Sequence, residues 1–436
     1  MAWPGYFFFA GTEVINATRT ERYARTFNVG WFNAVYNQDD LAWLLGEDDY
    51  TSPLQDDAPW TDPDNLDSYD FYGAYPLEIT GLEDSTVDAE VVESVIDGGY
   101  VQKPRRKTRS VVFSAVLVGA SECAVEYGLR WLRTVLNGGA CFGAVYGNCG
   151  GAELCYLACS PAIGDEGEGA LSCYSRVGRS LHGVTNITGP AVTKKLEMID
   201  GGAAWTVTWT MVAADPTEFG VEKPLILGFL DPAVDVPYVG GEVPAGGSYD
   251  PDGYVQSDPA CPAPIFTPVF DPSCDLLQPP PDLPSVVPMC FSFPVNYLRR
   301  SFVIPHDNIP LWTEVSPVVT LHTGVDEMRS VRLRFYADVF DTGTPNQDPC
   351  NYCGDVVFSY IPPGATLVLD CADRQVYIDQ PGLGRRRADS LASASDGSPF
   401  DWPVFSCGFG YVVTVDTEQQ LATPPIIDLS LVPRVA

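Results

Sequence analysis

The segment from residue 109 to residue 137 constrains the fold most, because a strand pattern there turns directly into a helix pattern. The strand portion alternates between two mainly apolar sets, which indicates a strand covered on both faces. Apolar residues then recur at spacings of four, three and four, as Val125, Leu129, Leu132 and Leu136. Ser121 suits an N-cap, and Asn137 with Gly138 suits a stop. The segment predicts an amphipathic helix over about 121–137 that lies on a sheet.

The other periodic segments of the first half predict strands. Residues 6–35 alternate aromatic and polar side chains, which favours strands over helices. Within residues 193–220, a tight turn at Asp200-Gly201-Gly202 separates two strand patterns. In the second of these, Trp205, Val207, Trp209 and Met211 alternate with threonines. This alternation is typical of a core strand, so these aromatic residues are interpreted as core and not as a ligand platform.

The second half combines a proline-rich region with a β-rich end. Fifteen of the 38 prolines lie between Pro224 and Pro288, which excludes a central sheet or a helix there. Six short apolar runs after about Cys290 are bounded by Pro, Gly, Asp and Asn, and predict a β-sandwich. We therefore expect three regions: a domain over 1–220, a linker or docked arm over 221–290, and a β-sandwich domain over 291–436.

Charge and hydropathy exclude several classes of partner. The formal charge of −32 opposes binding to nucleic acid. The longest apolar run has about half of the ~20 residues that a membrane-spanning helix needs, and no secretion signal is expected. Residues 39–70 contain eleven acidic residues and no Lys or Arg, and predict a solvated surface loop. Its string "DPDNLD" lacks the glycine and the final glutamate of a calcium loop.

The cysteines favour a disulfide in one glycine-rich segment. Thirteen cysteines are many for a reduced cytosolic protein, and five of them lie close together in sequence. The five are Cys141, Cys149, Cys155, Cys159 and Cys173. We predict at least one disulfide within Cys141–Cys173, with buried free thiols or a zinc site as the alternatives.

No catalytic motif is evident. The three histidines, His182, His306 and His322, are far apart in sequence and in no ligand spacing. There is no G-x-S-x-G elbow and no Walker loop, and the acids of "GDEGEG" would repel phosphate. A carboxylate pair for glycoside cleavage has no support beyond the large number of acids. We expect no enzyme activity, no cofactor and no metal.

The order of these elements resembles a known family. The strings are "GTEVINATRTERY", a basic-to-apolar strand, the helix "ECAVEYGLRWLRTVL", a hairpin closing on "AADPTEFG", a proline-rich connection and a sandwich with "YIPPGATLVLD". Together they resemble the minor tail proteins of long-tailed (siphovirus-type) phages of actinobacteria and, in outline, the distal tail proteins. The resemblance covers most of residues 1–220 and 300–436.

This resemblance implies both a fold and a function. The fold would be mainly β, with a tail-tube-like N-terminal β-sandwich flanked by one helix and a C-terminal jelly-roll or galectin-like β-sandwich. The protein would form a ring, a hexamer, that joins the tail tube to the hub or baseplate. Its partners would be other copies, the tail tube, the hub and the tape measure. It would be located in the virion tail tip after assembly in the host cytoplasm. The alternative is a tail protein that binds a carbohydrate or receptor on the host surface.

One basic run predicts a subunit contact. Five of the 25 basic residues fall within seven positions, and they are Lys103, Arg105, Arg106, Lys107 and Arg109. In a closed ring each subunit presents the same two faces, so a basic edge can meet an acidic one all the way round. The acidic segment 39–70 is the expected counterpart. The alternative is a basic run that is merely solvated.

Overall fold

The computed structural model describes most of the chain. The described residues are 2–27, 36, 38, 41–84, 87–93, 98–138, 152–161, 177–197, 202–229, 248–250, 254–256, 292–294, 298–309, 313–338, 352–395, 397–406, 409–417 and 426–435. The protein is mainly β, as predicted, with multiple antiparallel sheets. Across the described residues, no helix is long and apolar enough to cross a membrane.

The chain divides into two compact units. Unit 1 comprises Met1–Glu222 together with Arg434–Ala436, and unit 2 comprises Lys223–Pro433. In sequence, unit 2 is therefore inserted near the end of unit 1. The predicted boundaries at 220 and 290 stay a prediction, since 230–247 and 257–291 lie outside the described residues.

Unit 1 is built on one antiparallel sheet with the strand order β2-β1-β9-β10-β11-β8-β3. The strands of unit 1, including short ones outside this order, are β1 Trp3–Phe9, β2 Thr12–Asn16, β3 Phe71–Thr80, β4 Val87–Asp88, β5 Val91–Glu93, β6 Gly99–Val101, β7 Arg105–Arg106, β8 Arg109–Gly119, β9 Ala152–Leu157, β10 Gly178–Glu197, β11 Ala203–Ala213 and β12 Glu218–Gly220. Phe7 of β1 contacts Phe113 of β8 with ring centroids 5.2 Å apart, although these strands are not neighbours. The sheet therefore curls over its own core, as in a β-sandwich.

The predicted helix is α3, Glu122–Gly138. The Oγ of Ser121 accepts a hydrogen bond from the backbone N–H of Ala124 at 3.1 Å, so Ser121 is the N-cap. Val125, Leu129, Leu132 and Leu136 are all buried in the core of unit 1. The predicted helix, its cap and its apolar stripe are confirmed.

A second helix follows β2, where the sequence favoured strands. Helix α1 spans Ala17–Thr26, and Asn16 caps it by accepting a hydrogen bond from the backbone N–H of Arg19. Its buried face includes Thr18, Arg19 and Glu21. Because these residues are polar, no apolar stripe reveals the helix in the sequence. Unit 1 is therefore flanked by more than the one helix that was predicted.

The acidic segment is packed and not merely solvated. It contains a short helix, α2, Leu41–Leu45. Leu41, Tyr50 and Trp60 are each less than a tenth exposed. The indole N–H of Trp60 donates to the carbonyl oxygen of Phe71 at 2.9 Å. The prediction of a solvated loop was wrong because scattered aromatic and apolar residues bury while the acids between them stay outside.

The predicted hairpin is β10 and β11. Glu197 pairs with Ala203, so the turn lies at the expected glycines, and residues 198–201 are outside the described residues. The predicted core face of β11 is buried, and the threonines between are half-buried. Trp209 stacks on Phe113 with ring centroids 5.0 Å apart. The core interpretation of these aromatic residues is confirmed.

Unit 2 is a β-sandwich of two antiparallel sheets, with a small third sheet. Its strands are β13 Lys223–Phe229, β14 Ser248–Asp250, β15 Tyr254–Gln256, β16 Ser292–Pro294, β17 Leu298–Ile304, β18 Glu314–His322, β19 Met328–Asp338, β20 Gly354–Ile361, β21 Thr366–Asp370, β22 Gln375–Gln380, β23 Gly384–Arg387, β24 Ala392–Ser393, β25 Gly410–Thr417 and β26 Ile426–Val435. The first sheet has the order β13-β26-β18-β21-β22-β23, the second β17-β25-β19-β20-β24, and the third β14-β15-β16.

The core of unit 2 lies between its two main sheets. Leu321 and Leu367 from the first sheet and Leu333 and Phe358 from the second belong to one buried cluster. The six predicted strand runs are all strands, and β21 and β22 form a hairpin in which Asp370 lies opposite Gln375. Residues 223–229, part of the segment 221–290 predicted as a linker or docked arm, form β13 and pair with β26.

Candidate assembly interface

A long antiparallel excursion separates β3 from β8. Within it β4 pairs with β7 and β5 pairs with β6, and these pairs form two-stranded sheets that include no other described strand. Every residue of these four strands is exposed except Val92, which is half-buried. We call residues 87–107 the arm. An isolated two-stranded ribbon is at best marginally stable in water, so the arm gains little from its own pairing.

Apolar side chains of the arm are in contact with solvent. Val87 is 52% exposed, and Val91, Tyr100 and Val101 are each more than 60% exposed. Exposed single apolar residues are common, but a clustered set on a ribbon indicates an interaction surface. From the sequence, only the basic run beside this apolar set was predicted as a contact surface.

The structure divides the basic run into two parts. Lys103, Arg105 and Arg106 are exposed, and no ion pair joins them to any other described residue. The Nζ of Lys107 lies 2.5 Å from Asp88 Oδ2 within the arm. Arg109, by contrast, is buried. The arm therefore carries three of the five predicted contact residues without an ion-pair partner among the described residues, and Lys107 with a partner.

Arg109 acts inside the subunit. It ion-pairs with Glu218, and its Nη1 donates to the carbonyl oxygen of Leu82 at 2.6 Å. These contacts tie the start of β8 to β12 and to the chain just before the arm. Arg109 is therefore not available at a subunit surface.

Strand β10 presents an open edge. On one side it pairs with β9 only as far as Val184, whereas β11 pairs along the other side as far as Glu197. No described strand pairs with the first side beyond Val184. Ile187 and Leu196 on this stretch are exposed. An open edge of this length is a template for pairing with another chain.

A buried polar network holds the acidic segment against α1. The Nε of Arg19 lies 2.8 Å from Glu13 Oε1, and its Nη2 donates to Glu47 Oε2 at 2.9 Å. Tyr50 donates to the same Glu47 oxygen at 2.6 Å, and Asn16 donates to Tyr50 at 2.9 Å. Each charged group at this depth is hydrogen-bonded, which offsets its loss of hydration.

The network shifts the pKa values of its members in different directions. Burial raises the pKa of the Glu13 carboxyl, against the effect of Arg19. Burial acts to lower the pKa of Arg19, but Glu13 and the neighbouring groups outweigh it and raise that pKa. Burial also acts to raise the pKa of Asp56, yet hydrogen bonds from Thr51 and Tyr23 hold it below its usual value. Asp56 accepts from the Thr51 N–H at 2.7 Å and from the Tyr23 hydroxyl at 2.8 Å.

This network keeps an acidic surface in place. The exposed acids of the packed segment are Glu47, Asp48, Asp49, Asp57, Asp64 and Asp70. Arg19 pairs with Glu47, and the other five leave a negative surface that faces solvent. The expected acidic counterpart of the basic run is therefore an ordered surface, which lowers the entropy cost of a contact made with it.

The disulfide candidates are only partly described. Cys155 lies on β9 and Cys159 follows that strand, and both are free thiols. Cys141, Cys149 and Cys173 lie outside the described residues. Burial raises the pKa of the Cys155 thiol, which makes its thiolate scarce at neutral pH. The predicted disulfide stays a prediction.

The histidines form no catalytic arrangement in the described residues. The Nε2 of His182 lies 2.9 Å from Ser180 Oγ and 3.7 Å from Glu153 Oε1. A catalytic triad needs the serine and the carboxylate on different ring nitrogens, so this is not one. His322 lies between Thr366 and Asp428, at 3.0 Å from each. In the part of the chain that the structure describes, no three His, Cys, Asp or Glu residues group as metal ligands.

Three solved structures are similar to this chain in outline. The SPP1 Dit protein, described as a paradigm of the hub adsorption apparatus in Gram-positive infecting phages, has 9% identity and a TM-score of 0.34, over 83% of this chain and 93% of that one. A chain of the phage p2 baseplate in its activated conformation with Sr has 8% identity and a TM-score of 0.35, over 82% and 90%. The Ca form has 9% identity and a TM-score of 0.32, over 80% and 92%.

These likenesses are too weak to carry an argument about function. All three TM-scores are below 0.5 and all three identities are below 10%. No protein-family model matches the chain, and no curated protein matches it. The functional proposal therefore rests on the residues of this chain.

Proposed function

We propose that this chain is a structural component of a phage tail tip, a distal-tail-type ring or adaptor that joins the tail tube to the hub or baseplate. Unit 1 forms the ring, and unit 2 is carried by it. The ring is a hexamer located in the virion and assembled in the host cytoplasm, and its partners are the tail tube, the hub and the tape measure. The protein is not an enzyme. The element order and strings that resemble minor tail proteins support this proposal.

The single observation that carries the proposal is the pair of unsatisfied strand surfaces on unit 1. The arm exposes apolar and basic side chains, and no described strand pairs with one side of β10 beyond Val184. In proteins that remain monomeric, such surfaces are usually covered or charged, because they promote association. In a closed ring, each copy covers the surfaces of the next.

The charges on unit 1 support a contact between the arm of one copy and the acidic segment of the next. Lys103, Arg105 and Arg106 form a basic stretch on a chain of charge −32, and the acidic segment is an ordered surface on the same unit. A basic arm can meet that acidic surface on the neighbouring copy. Exposed ion pairs are worth only about 0–1 kcal/mol each, so they orient the subunits while apolar and strand contacts hold them.

The test is the oligomeric state of the purified full-length chain. We expect closed six-fold rings by negative-stain electron microscopy and a matching mass by light scattering. The variant R105E/R106E should shift this mass towards the monomer at low salt. A monomer at high concentration and low salt, or rings unchanged by the variant, would contradict the proposed interface.

A further inference from the structure

We propose that the open edge of strand β23 in unit 2 is a binding site for an extended acidic segment of a partner polypeptide, which adds to the sheet as a further strand. Strand β23 is the last strand of its sheet, and it pairs with β22 on one side only among the described residues. All four of its residues are exposed. Three of them are consecutive arginines, Arg385, Arg386 and Arg387.

Two of the three guanidinium groups have no carboxylate partner in the described residues. Arg387 pairs with Asp389. Arg385 lies with its guanidinium carbon 3.9 Å from the centre of the Tyr377 ring, and Arg386 donates to the side-chain oxygen of Gln380 at 3.2 Å. Arg329 and Arg332 of unit 2, by contrast, pair with Glu327 at 2.7 Å and with Asp355 at 2.8 Å. Two guanidinium groups without a carboxylate partner among the described residues therefore lie together on this edge.

These contacts hold the side chains in place without using up their charge. Tyr377 is itself buried, and its hydroxyl donates to Gln375 at 2.6 Å, so the ring under Arg385 is fixed. A stacked guanidinium keeps its N–H donors free in its own plane, ready for a bidentate contact with a carboxylate. An arginine held in this way loses less entropy on binding.

A purely protective role for this charge does not require such anchoring. Charged side chains often guard an edge strand against aggregation, and a mobile charge serves that purpose. On β23, stacking and hydrogen bonding fix two charges beside unpaired backbone groups. That combination matches strand addition, in which backbone hydrogen bonds give affinity and alternate side chains give specificity.

The alternation of the strand defines the ligand. Arg385 and Arg387 lie on one face of the sheet and Arg386 lies on the other. A partner strand with acidic residues on both faces would therefore meet a guanidinium at each position. The occupant is an acidic polypeptide in extended conformation, because only a polypeptide can also pair with the edge.

The experiment measures binding of a labelled peptide to the full-length chain by fluorescence anisotropy. The probe is an acetylated octapeptide with four consecutive glutamates between two pairs of valines, so that its carboxylates lie on both faces of the strand. We expect saturable binding that weakens at least tenfold in R385E/R386E and by a smaller factor in R385K/R386K. We also expect a tenfold loss when alternate backbone amides of the probe are N-methylated, because N-methylation removes strand pairing but not charge.

The matched control is R130E/R133E, which makes the same charge change on the exposed face of helix α3 and should bind the probe like the unaltered chain. Circular dichroism of each variant checks its fold. Equal binding by R385E/R386E and the unaltered chain would overturn the proposal. So would equal binding of the N-methylated probe, or of polyphosphate of the same charge, since either shows an unspecific anion effect. The outcome does not depend on ring formation, which R105E/R106E tests separately.

Discussion

Two antiparallel segments of unit 1, the β10–β11 hairpin and the arm, differ in the contacts that stabilise them. The β10–β11 hairpin places alternate side chains of β11 in the core, whereas the four described strands of the arm place no side chain in a core. Both are antiparallel and both carry aromatic residues, Trp209 in the first and Tyr100 in the second. The first hairpin is explained by the stability of the subunit. The second is not, and the proposed subunit contact would account for its exposed apolar surface.

The largest expected effect is the loss of the core contact of β11. Trp209→Ala removes a fully buried ring that stacks on Phe113. Such truncations cost about 3–5 kcal/mol, so we expect a large drop in the urea midpoint of unfolding. The control is Thr208→Ala on the opposite, half-buried face, with an expected change below about 1 kcal/mol. Equal effects of the two substitutions would contradict the conclusion that the core face of β11 stabilises the β10–β11 hairpin.

The next largest effect is expected in the buried polar network. It tests whether buried ion pairs stabilise unit 1 as apolar burial does. Arg19→Met leaves the carboxylates of Glu13 and Glu47 without their partner. Breaking a buried ion pair costs about 3 kcal/mol or more. The double variant Arg19→Met/Glu13→Gln should recover part of that loss, measured as the free energy of unfolding. No recovery would show that Arg19 stabilises by packing alone.

A smaller effect is expected on the pH dependence of stability. The folded state lowers the pKa of Asp56, so its ionised form stabilises the fold above the pKa of the unfolded chain, about 4. This contribution should disappear as the pH falls through the folded pKa. In Asp56→Asn we expect a lower melting temperature at pH 7 and a difference that shrinks below about pH 4. A difference that grows on acidification would reverse this interpretation.

The smallest effect on stability is expected in the arm. Tyr100→Ser and Val101→Ser should change the free energy of unfolding by less than about 0.5 kcal/mol, because both side chains are exposed. The same pair of changes should weaken subunit association, measured as the mass by light scattering across a dilution series. If the variant unfolds more easily but associates normally, the arm belongs to the fold of its own subunit.

The two long helices show how far the sequence predicts the fold. Helix α3 was predicted with its cap and stripe, because its buried face is apolar and recurs with the helical period. Helix α1 was missed, because it buries Arg19, Thr20 and Glu21. Its polar face is satisfied by partners distant in sequence, such as Glu47. The sequence near α1 therefore carries no local pattern that would indicate burial of its polar residues.

The candidate interface was predicted in part for a similar reason. The basic run is a local feature of the sequence, so Lys103, Arg105 and Arg106 could be identified directly. Whether a given basic residue faces solvent depends on the register of its strand, and Arg109 turns inward to Glu218. The open edge of β10 depends on where β9 stops pairing, which is a property of two segments together.

The insertion of unit 2 has a consequence for how such chains can diversify. Unit 2 starts with β13 and finishes with β26, and Lys223 lies opposite Leu431 in an antiparallel pair. Its point of entry and its point of exit are therefore side by side. A module with adjacent termini can be lengthened, exchanged or deleted in its host chain with little rearrangement of the flanking backbone. The length and sequence of unit 2 can therefore change while the strands of unit 1 keep their pairing.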